Sequence, residues 1–216
     1  MMRGLVVTGT DTDVGKTVVA AMLALGLGGS YWKPVQAGYE GGTDTEAVKA
    51  MTGLGPDRVL EEAYRLRTPA SPHVAAEIDG VRIELAALDP AARITPKTSL
   101  PLIVEGAGGT LVPLNRKTVY ADLFAAWGWP AVLCARTSLG TINHSLMSLE
   151  VLRARKVPVL GIVFVGAANE DSERTIAEMG NARRLGRLPM LGDLRPPALA
   201  RAFAENFRAE DFGGKP

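Results

Sequence analysis

Residues 9–17 read Gly9-Thr10-Asp11-Thr12-Asp13-Val14-Gly15-Lys16-Thr17. An apolar run precedes this stretch, and a pattern of helical period begins at Lys16. The backbone amides of such a loop can cradle phosphates, its lysine can reach the β/γ-phosphates, and a hydroxyl such as that of Thr17 can bind Mg²⁺. The usual pattern has one residue fewer between its glycines than the five that separate Gly9 from Gly15. The stretch therefore predicts an extended P-loop that binds a nucleoside triphosphate.

Composition narrows the possible classes. The 216 residues fit one α/β domain, and 24 basic against 23 acidic residues leave a net charge of +1. This balance gives no general attraction to nucleic acid or to an anionic membrane. The single cysteine, Cys134, lies in an apolar run, which predicts a core thiol and a reducing compartment. We find neither a secretory signal pattern nor an apolar run of about 18 residues, so we expect a cytoplasmic protein.

Short apolar runs alternate with longer segments of helical period along the whole chain. This alternation predicts a single α/β domain over residues 1–216, with the P-loop NTPase fold and a mostly parallel central sheet covered by helices on both faces. The predicted strands are 5–8, 31–35, 100–104, 131–135, 159–165 and 185–188. The predicted helices are 16–26, 44–51, 72–76, 120–127, 142–155, 172–179 and 197–207. We expect a loop over 88–99 and a mobile tail over 212–216.

Four further blocks follow the loop in order: Lys33-Pro34-Val35-Gln36, Ser71-Pro72-His73, Val104-Glu105-Gly106-Ala107-Gly108-Gly109 and Leu139-Gly140-Thr141-Ile142-Asn143-His144. Together with residues 9–17, which share the extended spacing, these blocks resemble the dethiobiotin synthetase family over residues 4–191. The resemblance implies a Mg²⁺- and ATP-dependent ligase that converts 7,8-diaminopelargonate and CO₂ or bicarbonate to dethiobiotin. The route implied is a carbamate and then its anhydride with phosphate, releasing ADP and phosphate. The family also implies a homodimer with each active site at the subunit interface.

The resemblance implies catalytic roles for Thr12, Lys16 and Lys33. Taken alone, a lysine at a strand end such as Lys33 is more often solvated than catalytic. A second cation beside Lys16 suits phosphoryl transfer to a carbamate, because two anions are brought together. We expect neither lysine to support the core. The implied nucleotide-binding residues are Asp13, Val14, Gly15, Lys16, Thr17, Val18, Gly166, Gly186, Leu188 and Pro189.

The implied Mg²⁺ ligands are Thr17, Asp44 and Glu105, which form a suitable set of hard oxygen donors. Each carboxylate also has a structural interpretation. Asp44 lies in Thr43-Asp44-Thr45-Glu46, which has the form of a helix capping box. Glu105 follows a predicted strand directly, where a carboxylate can anchor a loop.

The implied substrate-binding residues are Thr12, Lys33, Ala37, Ser71, Pro72, Glu105, Gly106, Gly108, Gly109, Leu139, Gly140, Thr141, Ile142 and Asn143. Three segments of this set have structural alternatives. Ser71-Pro72-His73 reads as a helix N-cap with its first turn, and 106–109 reads as a flexible turn between strand and helix. The helix over 142–155 has one apolar face that packs in any case. In the family, its N-terminus faces the carboxylate of the substrate bound to the neighbouring subunit.

Two positions depart from the family pattern. Ala37 stands where many members carry a hydroxyl residue, so one hydrogen bond to substrate or phosphate is missing or is supplied by water. Val165 stands near the position where well-known members carry an asparagine that reads adenine. We therefore expect backbone and apolar contacts, including 186–189, to hold the base, with other nucleoside triphosphates accepted besides ATP.

Two other functions compete with the ligase. A partition- or placement-type P-loop switch shares such a loop but usually carries a lysine where this chain has Asp11. Some of these switches end in a basic amphipathic helix, whereas residues 200–211 contain Glu205, Glu210 and Asp211. A glutamine-dependent amidoligase of corrin synthesis would need an added glutaminase domain with a catalytic cysteine.

Overall fold

The structure of the protein is a computed structural model that describes residues 4–94 and 101–214. Within this part of the chain the strands are β1 (Gly4–Gly9), β2 (Ser30–Trp32), β3 (Val35–Ala37), β4 (Val59–Leu60), β5 (Tyr64–Leu66), β6 (Leu102–Gly109), β7 (Pro113–Asn115), β8 (Thr118–Val119), β9 (Ala131–Arg136), β10 (Val159–Val165) and β11 (Arg184–Leu188). The α-helices are α1 (Lys16–Gly26), α2 (Asp44–Thr52), α3 (Pro72–Ile78), α4 (Tyr120–Trp127), α5 (Thr141–Ala154), α6 (Glu170–Met179) and α7 (Pro196–Asn206).

The central sheet has seven strands in the order β11-β10-β9-β1-β6-β2-β4. Every neighbouring pair in it is parallel. The chain leaves β1 toward β2 on one side of the sheet and later returns to β9 on the other side. Ligands of open α/β sheets bind beyond the carboxyl ends of the strands at such a reversal. The fold therefore places the predicted P-loop, which follows β1, at the position where a ligand site is expected.

Helices cover both faces of the sheet, as the sequence predicts. Leu5 and Val7 of β1 pack with α1 and α7, whereas Val6 packs on the opposite face with α4. Alternate residues of one strand are thus buried in different cores, which explains why the strands are apolar along their whole length. Cys134 is fully buried, and this burial raises the pKa of its thiol to about 12. The prediction of a core cysteine is confirmed.

One predicted strand is divided in the structure. Residues 31–35 were expected to form a single strand, but β2 ends at Trp32 and β3 begins at Val35. Pro34 lies in the break. A proline has no amide N–H to donate to a neighbouring strand, which explains why the strand is interrupted there. β3 then pairs with β5 outside the central sheet. Lys33 consequently lies just beyond the carboxyl end of β2.

Strand β6 is longer than predicted. It extends through Glu105 to Gly109, where it pairs with Gly9 after an irregularity in register. Glu105 therefore lies within a strand and not in the following loop, and the interpretation of 106–109 as a turn is wrong. Residue 100, the predicted start of this strand, lies outside the described residues.

The C-terminal segment and the predicted 88–99 loop contain more ordered structure than the sequence predicts. Phe212, assigned to a mobile tail, is fully buried, with its ring 6.3 Å from Phe203 and 6.2 Å from Phe207 between centroids. The first half of the predicted 88–99 loop contains a 3₁₀ turn at Pro90–Arg93. Residues 95–99 and 215–216 lie outside the described part. In that part no helix is long and apolar enough to cross a membrane, and the cytoplasmic location stays a prediction.

The capping box at the start of α2 is confirmed. The Thr43 hydroxyl accepts a hydrogen bond from the Glu46 amide at 3.1 Å, and Glu46 Oε2 accepts one from the Thr43 amide at 2.9 Å. The Asp44 amide also donates to Gln36 Oε1 at 3.1 Å. These bonds fix the first turn of α2 and hence the backbone position of Asp44.

Replacing Thr43 with alanine should therefore destabilise the fold. Loss of an N-cap side chain costs about 1 kcal/mol, which lowers Tm by about 2–4 °C in a domain of this size. A thermal melt followed by circular dichroism measures the change. Glu46→Gln keeps an acceptor for the Thr43 amide and serves as the milder control. An unchanged Tm for Thr43→Ala would show that the cap adds nothing to stability.

Candidate active site

Two cavities lie side by side at the carboxyl edge of the sheet, with the P-loop as their common wall. The first, of about 640 Å³, lies beyond β9, β10 and β11. The second, of about 650 Å³, lies beyond β1, β2 and β6. Asp13, Gly15 and Val18 line both. A molecule that spans both cavities must therefore pass over this loop.

The loop backbone depends on left-handed residues. Gly15 has φ of 88° and Asp13 has φ of 56°. A side chain at Gly15 would begin only 3.0 Å from Val165 Cγ1, so glycine meets both a conformational and a steric demand there. Lys16 lies folded across the loop, with Nζ donating to the Asp11 carbonyl at 2.7 Å. Burial lowers the pKa of this lysine, although nearby Glu105 acts in the opposite direction.

The centre of the second cavity is the buried carboxylate of Glu105, which is 1% exposed. Its Oε1 accepts hydrogen bonds from Thr17 Oγ1 at 2.8 Å and from Lys33 Nζ at 3.2 Å. Its Oε2 accepts one from the Tyr31 hydroxyl at 2.8 Å. A buried charge is tolerated when it is paired and hydrogen-bonded in this way. The strand interior thus contains a charged carboxylate that is hydrogen-bonded at both of its oxygens.

Lys33 joins the two predicted metal-binding carboxylates. Its Nζ forms ion pairs with Asp44 Oδ2 and with Glu105 Oε1. Burial would lower the pKa of Lys33, but the carboxylates outweigh it and raise the pKa above its usual value, so the ammonium stays charged. With 4% of its surface exposed, Lys33 is part of the buried structure. The expectation that neither lysine supports the core is therefore wrong for Lys33.

The predicted metal ligands Thr17, Asp44 and Glu105 all meet around Lys33. In residues 4–94 and 101–214, no group of three or more His, Cys, Asp or Glu side chains is clustered for a metal ion. A cation at this place would accordingly be bound by two carboxylates, a hydroxyl and the oxygens of a bound phosphate. Such hard oxygen donors, completed by water, suit Mg²⁺. The residues present therefore fit the ion that the sequence implies.

Most of the predicted substrate residues lie in the second cavity. Its walls include Thr12, Lys33, Ala37, Ser71, Pro72, Glu105 and Gly108. Ser71 precedes α3 as predicted, but its hydroxyl lies 3.0 Å from His73 Nδ1 and makes no cap hydrogen bond to the helix. Gly106 and Gly109 do not line this cavity. A side chain at Gly106 would begin 3.0 Å from the Phe124 ring, which shows that close packing requires the glycine.

The segment from Leu139 to Asn143 lies outside both cavities. Gly140, with φ of 91°, precedes α5, and the buried Thr141 hydroxyl donates to the Arg136 carbonyl. Leu139 is fully exposed, Ile142 is partly buried and Asn143 is exposed. The single chain thus does not bring this segment to Lys33. Its role toward a neighbouring subunit stays a prediction.

The first cavity contains most of the residues predicted to bind the base and sugar of the nucleotide. Val14, Val165, Gly166, Leu188 and Pro189 line it. Gly186, predicted to bind the nucleotide, does not line this cavity. A side chain there would begin 2.4 Å from the Asn206 carbonyl, so the glycine is needed for close packing of β11 against the end of α7.

Asn169 also lines the first cavity and was missed from the sequence. Its amide nitrogen donates to the Thr137 carbonyl at 3.0 Å, and its Oδ1 accepts from the Ser172 amide at 3.2 Å. Both ends of this side-chain amide are therefore engaged in holding the start of α6.

Tyr31 is a second residue that the sequence analysis missed. Alternation along the strand places Tyr31 on the same face as Lys33, and Tyr31 is paired in register with Ile103, two residues before Glu105. Residues two apart on a strand share a face. Long-range pairing of β2 with β6 was needed to recognise the contact.

Solved structures with this fold include the cell division ATPase MinD of Pyrococcus furiosus, with a TM-score of 0.53 and 14% identity over 98% of this chain and 99% of that one. A ParA family ATPase from Chlorobium tepidum has a TM-score of 0.56 and 10% identity over 94% of this chain and 92% of that one. At such low identity these similarities show the P-loop fold alone.

Sequence comparisons are more specific. A family model described as an AAA domain matches residues 3–198. The chain is 58% identical to proteins of Brucella ovis and Brucella canis named ATP-dependent dethiobiotin synthetase BioD, over 99% of both chains in each case. A protein of Brucella abortus with the same name is 57% identical over the same shares. The chain therefore belongs to the dethiobiotin synthetase family.

Proposed function

We propose that the chain is an ATP-dependent ligase that converts 7,8-diaminopelargonate and CO₂ to dethiobiotin, releasing ADP and phosphate. Membership of the family supports the ligase over a partition-type switch and over a glutamine-dependent amidoligase. The observation that carries the proposal is the buried cluster at the second cavity. Lys33, Asp44 and Glu105 lie there beside Lys16 and Thr17 of the P-loop.

The reaction brings anions together, and the cavity supplies cations for them. One substrate amine attacks CO₂ and loses a proton, giving a carbamate. The carbamate oxygen then attacks the γ-phosphorus as ADP departs, and the second amine displaces phosphate to close the ring. Lys16 and Lys33 line one cavity and can stabilise the negative charge of the transferred group and its acceptor. Thr12, at the same wall, can hydrogen-bond the oxygens involved.

Asp44, Glu105 and Thr17 would hold Mg²⁺, which would neutralise charge on the β- and γ-phosphates when bound. The two carboxylates contact Lys33 in the structure. They cannot offer the same oxygens fully to both cations. We infer that Lys33 exchanges at least one carboxylate partner for substrate during the reaction, which would free its ammonium to bind the carbamate.

We also propose a homodimer in which the start of α5 reaches the partner's substrate. Leu139 is fully exposed, and Leu111 and Met147 are 48% and 53% exposed around a further cavity of about 330 Å³. Apolar side chains grouped at a surface favour an interface with another protein surface. The helix N-terminus behind Leu139, with Asn143 beside it, would offer amides to the substrate carboxylate.

Phosphate release by the purified protein should require four components together: diamine, bicarbonate, Mg²⁺ and ATP. The reason is that the γ-phosphoryl group has its acceptor only once the carbamate forms. A coupled phosphate assay with each component omitted in turn measures this. Sustained ATP hydrolysis without the diamine would contradict the ligase and favour a switch.

Substituting the two lysines separates their roles. Lys33→Met should slow dethiobiotin formation by about 100-fold or more, because a charge at the transferred group is lost. It should also cost about 3–5 kcal/mol of stability, because the buried Glu105 loses its cation. Lys16→Met should slow turnover comparably but cost less stability than Lys33→Met, since Lys16 donates to the neutral Asp11 carbonyl, whereas Lys33 forms ion pairs with two carboxylates.

Rates and thermal melts of both variants test this pair of effects. Near-normal product formation by both would defeat the catalytic assignment. Equal melting temperatures would defeat the structural role of Lys33.

The protein should discriminate only weakly between the bases of different nucleoside triphosphates. The first cavity offers apolar walls at Val165 and Leu188, and the Asn169 amide is engaged elsewhere. Arg136, another polar residue of this cavity, is paired with Asp11, and the hydroxyls of Thr137 and Ser138 can each donate or accept a hydrogen bond, so these groups should discriminate poorly between bases. Turnover with CTP and GTP should therefore lie within about 100-fold of that with ATP, measured as kcat/KM. A larger preference for ATP would show that a polar group reads adenine.

A further inference from the structure

Tyr31 is fully buried and belongs to the core on the α1 face of the sheet. It pairs in register with Ile103 of β6, so its side chain lies on the face from which Glu105 also projects. Its hydroxyl donates to Glu105 Oε2 at 2.8 Å. Burial, followed by the nearby Glu105 charge, raises the pKa of Tyr31, so the hydroxyl keeps its proton and remains a donor.

The two oxygens of Glu105 have different surroundings. Oε1 faces the P-loop and accepts from Thr17 and Lys33. Oε2 points into the core, where the Tyr31 hydroxyl is its hydrogen-bond donor. Without this donor, the carboxylate could rotate or would leave a buried acceptor unpaired. The hydrogen bond therefore fixes which oxygen is presented to the cavity.

We propose that Tyr31 is a positioning residue for the reaction: its hydroxyl holds Glu105 Oε2 and thereby keeps Oε1 toward Thr17, where it would be available to a metal ion. The inference rests on the proposed function, in which Glu105 is a metal ligand. Groups that hydrogen-bond a metal ligand orient it and strengthen metal binding, and their loss typically weakens binding by about 10–100-fold.

Tyr120 provides a matched control, because it is a second buried tyrosine near Lys33 and Glu105. It is 1% exposed, lies near Lys33 and Glu105, and packs against Phe124 with ring centroids 5.5 Å apart. No hydrogen bond of its hydroxyl reaches Glu105 among the described residues; the polar group next to the buried hydroxyl is the Ala107 backbone. Tyr120→Phe thus removes a buried hydroxyl close to the cavity without touching the carboxylate.

The experiment measures Mn²⁺ binding to the protein in the presence of a nonhydrolysable ATP analogue, with free Mn²⁺ counted by electron paramagnetic resonance. Three variants are compared with the natural chain: Tyr31→Phe, Tyr120→Phe and Glu105→Gln. The dissociation constant should rise about 10-fold in Tyr31→Phe and at least as much in Glu105→Gln. It should stay within about twofold of the natural value in Tyr120→Phe.

The Mg²⁺ concentration that gives half-maximal turnover at saturating ATP is a second readout. It does not depend on the fraction of enzyme that is folded, so partial unfolding of Tyr31→Phe cannot imitate the effect. It should rise about 10-fold in this variant, with turnover recovering at high Mg²⁺.

Two results would overturn the inference, and they differ in what else they imply. Equal Mn²⁺ affinity and equal Mg²⁺ requirement in Tyr31→Phe and Tyr120→Phe, with Glu105→Gln weakened, would refute the role of Tyr31 alone. Unchanged affinity in Glu105→Gln would remove Glu105 from the proposed metal site and the inference with it.

Discussion

The carboxylate of Glu105 is the group on which the arrangement of the site depends. It is a charge inside a parallel sheet, and Thr17, Tyr31 and Lys33 all bond to it. These partners come from α1, from β2 and from the residue after β2. An unpaired charge at this depth would be very costly, so the carboxylate constrains all three elements to lie together. The same constraint brings the P-loop hydroxyl, the cavity lysine and the predicted metal ligands within one hydrogen-bonded cluster.

The two cavities at the carboxyl edge of the sheet differ in character. On one side, apolar walls beyond β10 and β11 suit a base, which needs contact more than charge. On the other side, Lys33 and the carboxylates suit the transfer of a phosphoryl group to a second anion. The P-loop lies between them, with Gly15 lining both cavities, so the proposed triphosphate would extend from the first into the second. The ligase chemistry thus uses a fold shared with ATPases of other functions and adds a charged acceptor site.

Much of this could be predicted from local sequence. The P-loop, the helix that follows it, strand β10 and the capping box before Asp44 all have short-range signatures, and the structure confirms them. The break at Pro34 was missed because Tyr31 and Trp32 before it and Val35 after it were read as one strand. Gly186 packs against Asn206 and Phe207, which lie far from it in sequence. Phe212 is buried by contacts with Phe203 and Phe207 of α7 and the segment after it. Tyr31 was missed for the same reason, since only the pairing of β2 with β6 brings it to Glu105.

The central claim is that Lys33 exchanges its carboxylate partners for the carbamate while Thr17, Asp44 and Glu105 bind the metal ion. A crystal structure with diamine, bicarbonate, Mg²⁺ and a nonhydrolysable ATP analogue tests it most directly. The account predicts Mg²⁺ bound to these three side chains and Lys33 Nζ within hydrogen-bonding distance of the carbamate. A structure in which Lys33 remains between Asp44 and Glu105, with Mg²⁺ and the carbamate bound elsewhere, would contradict it.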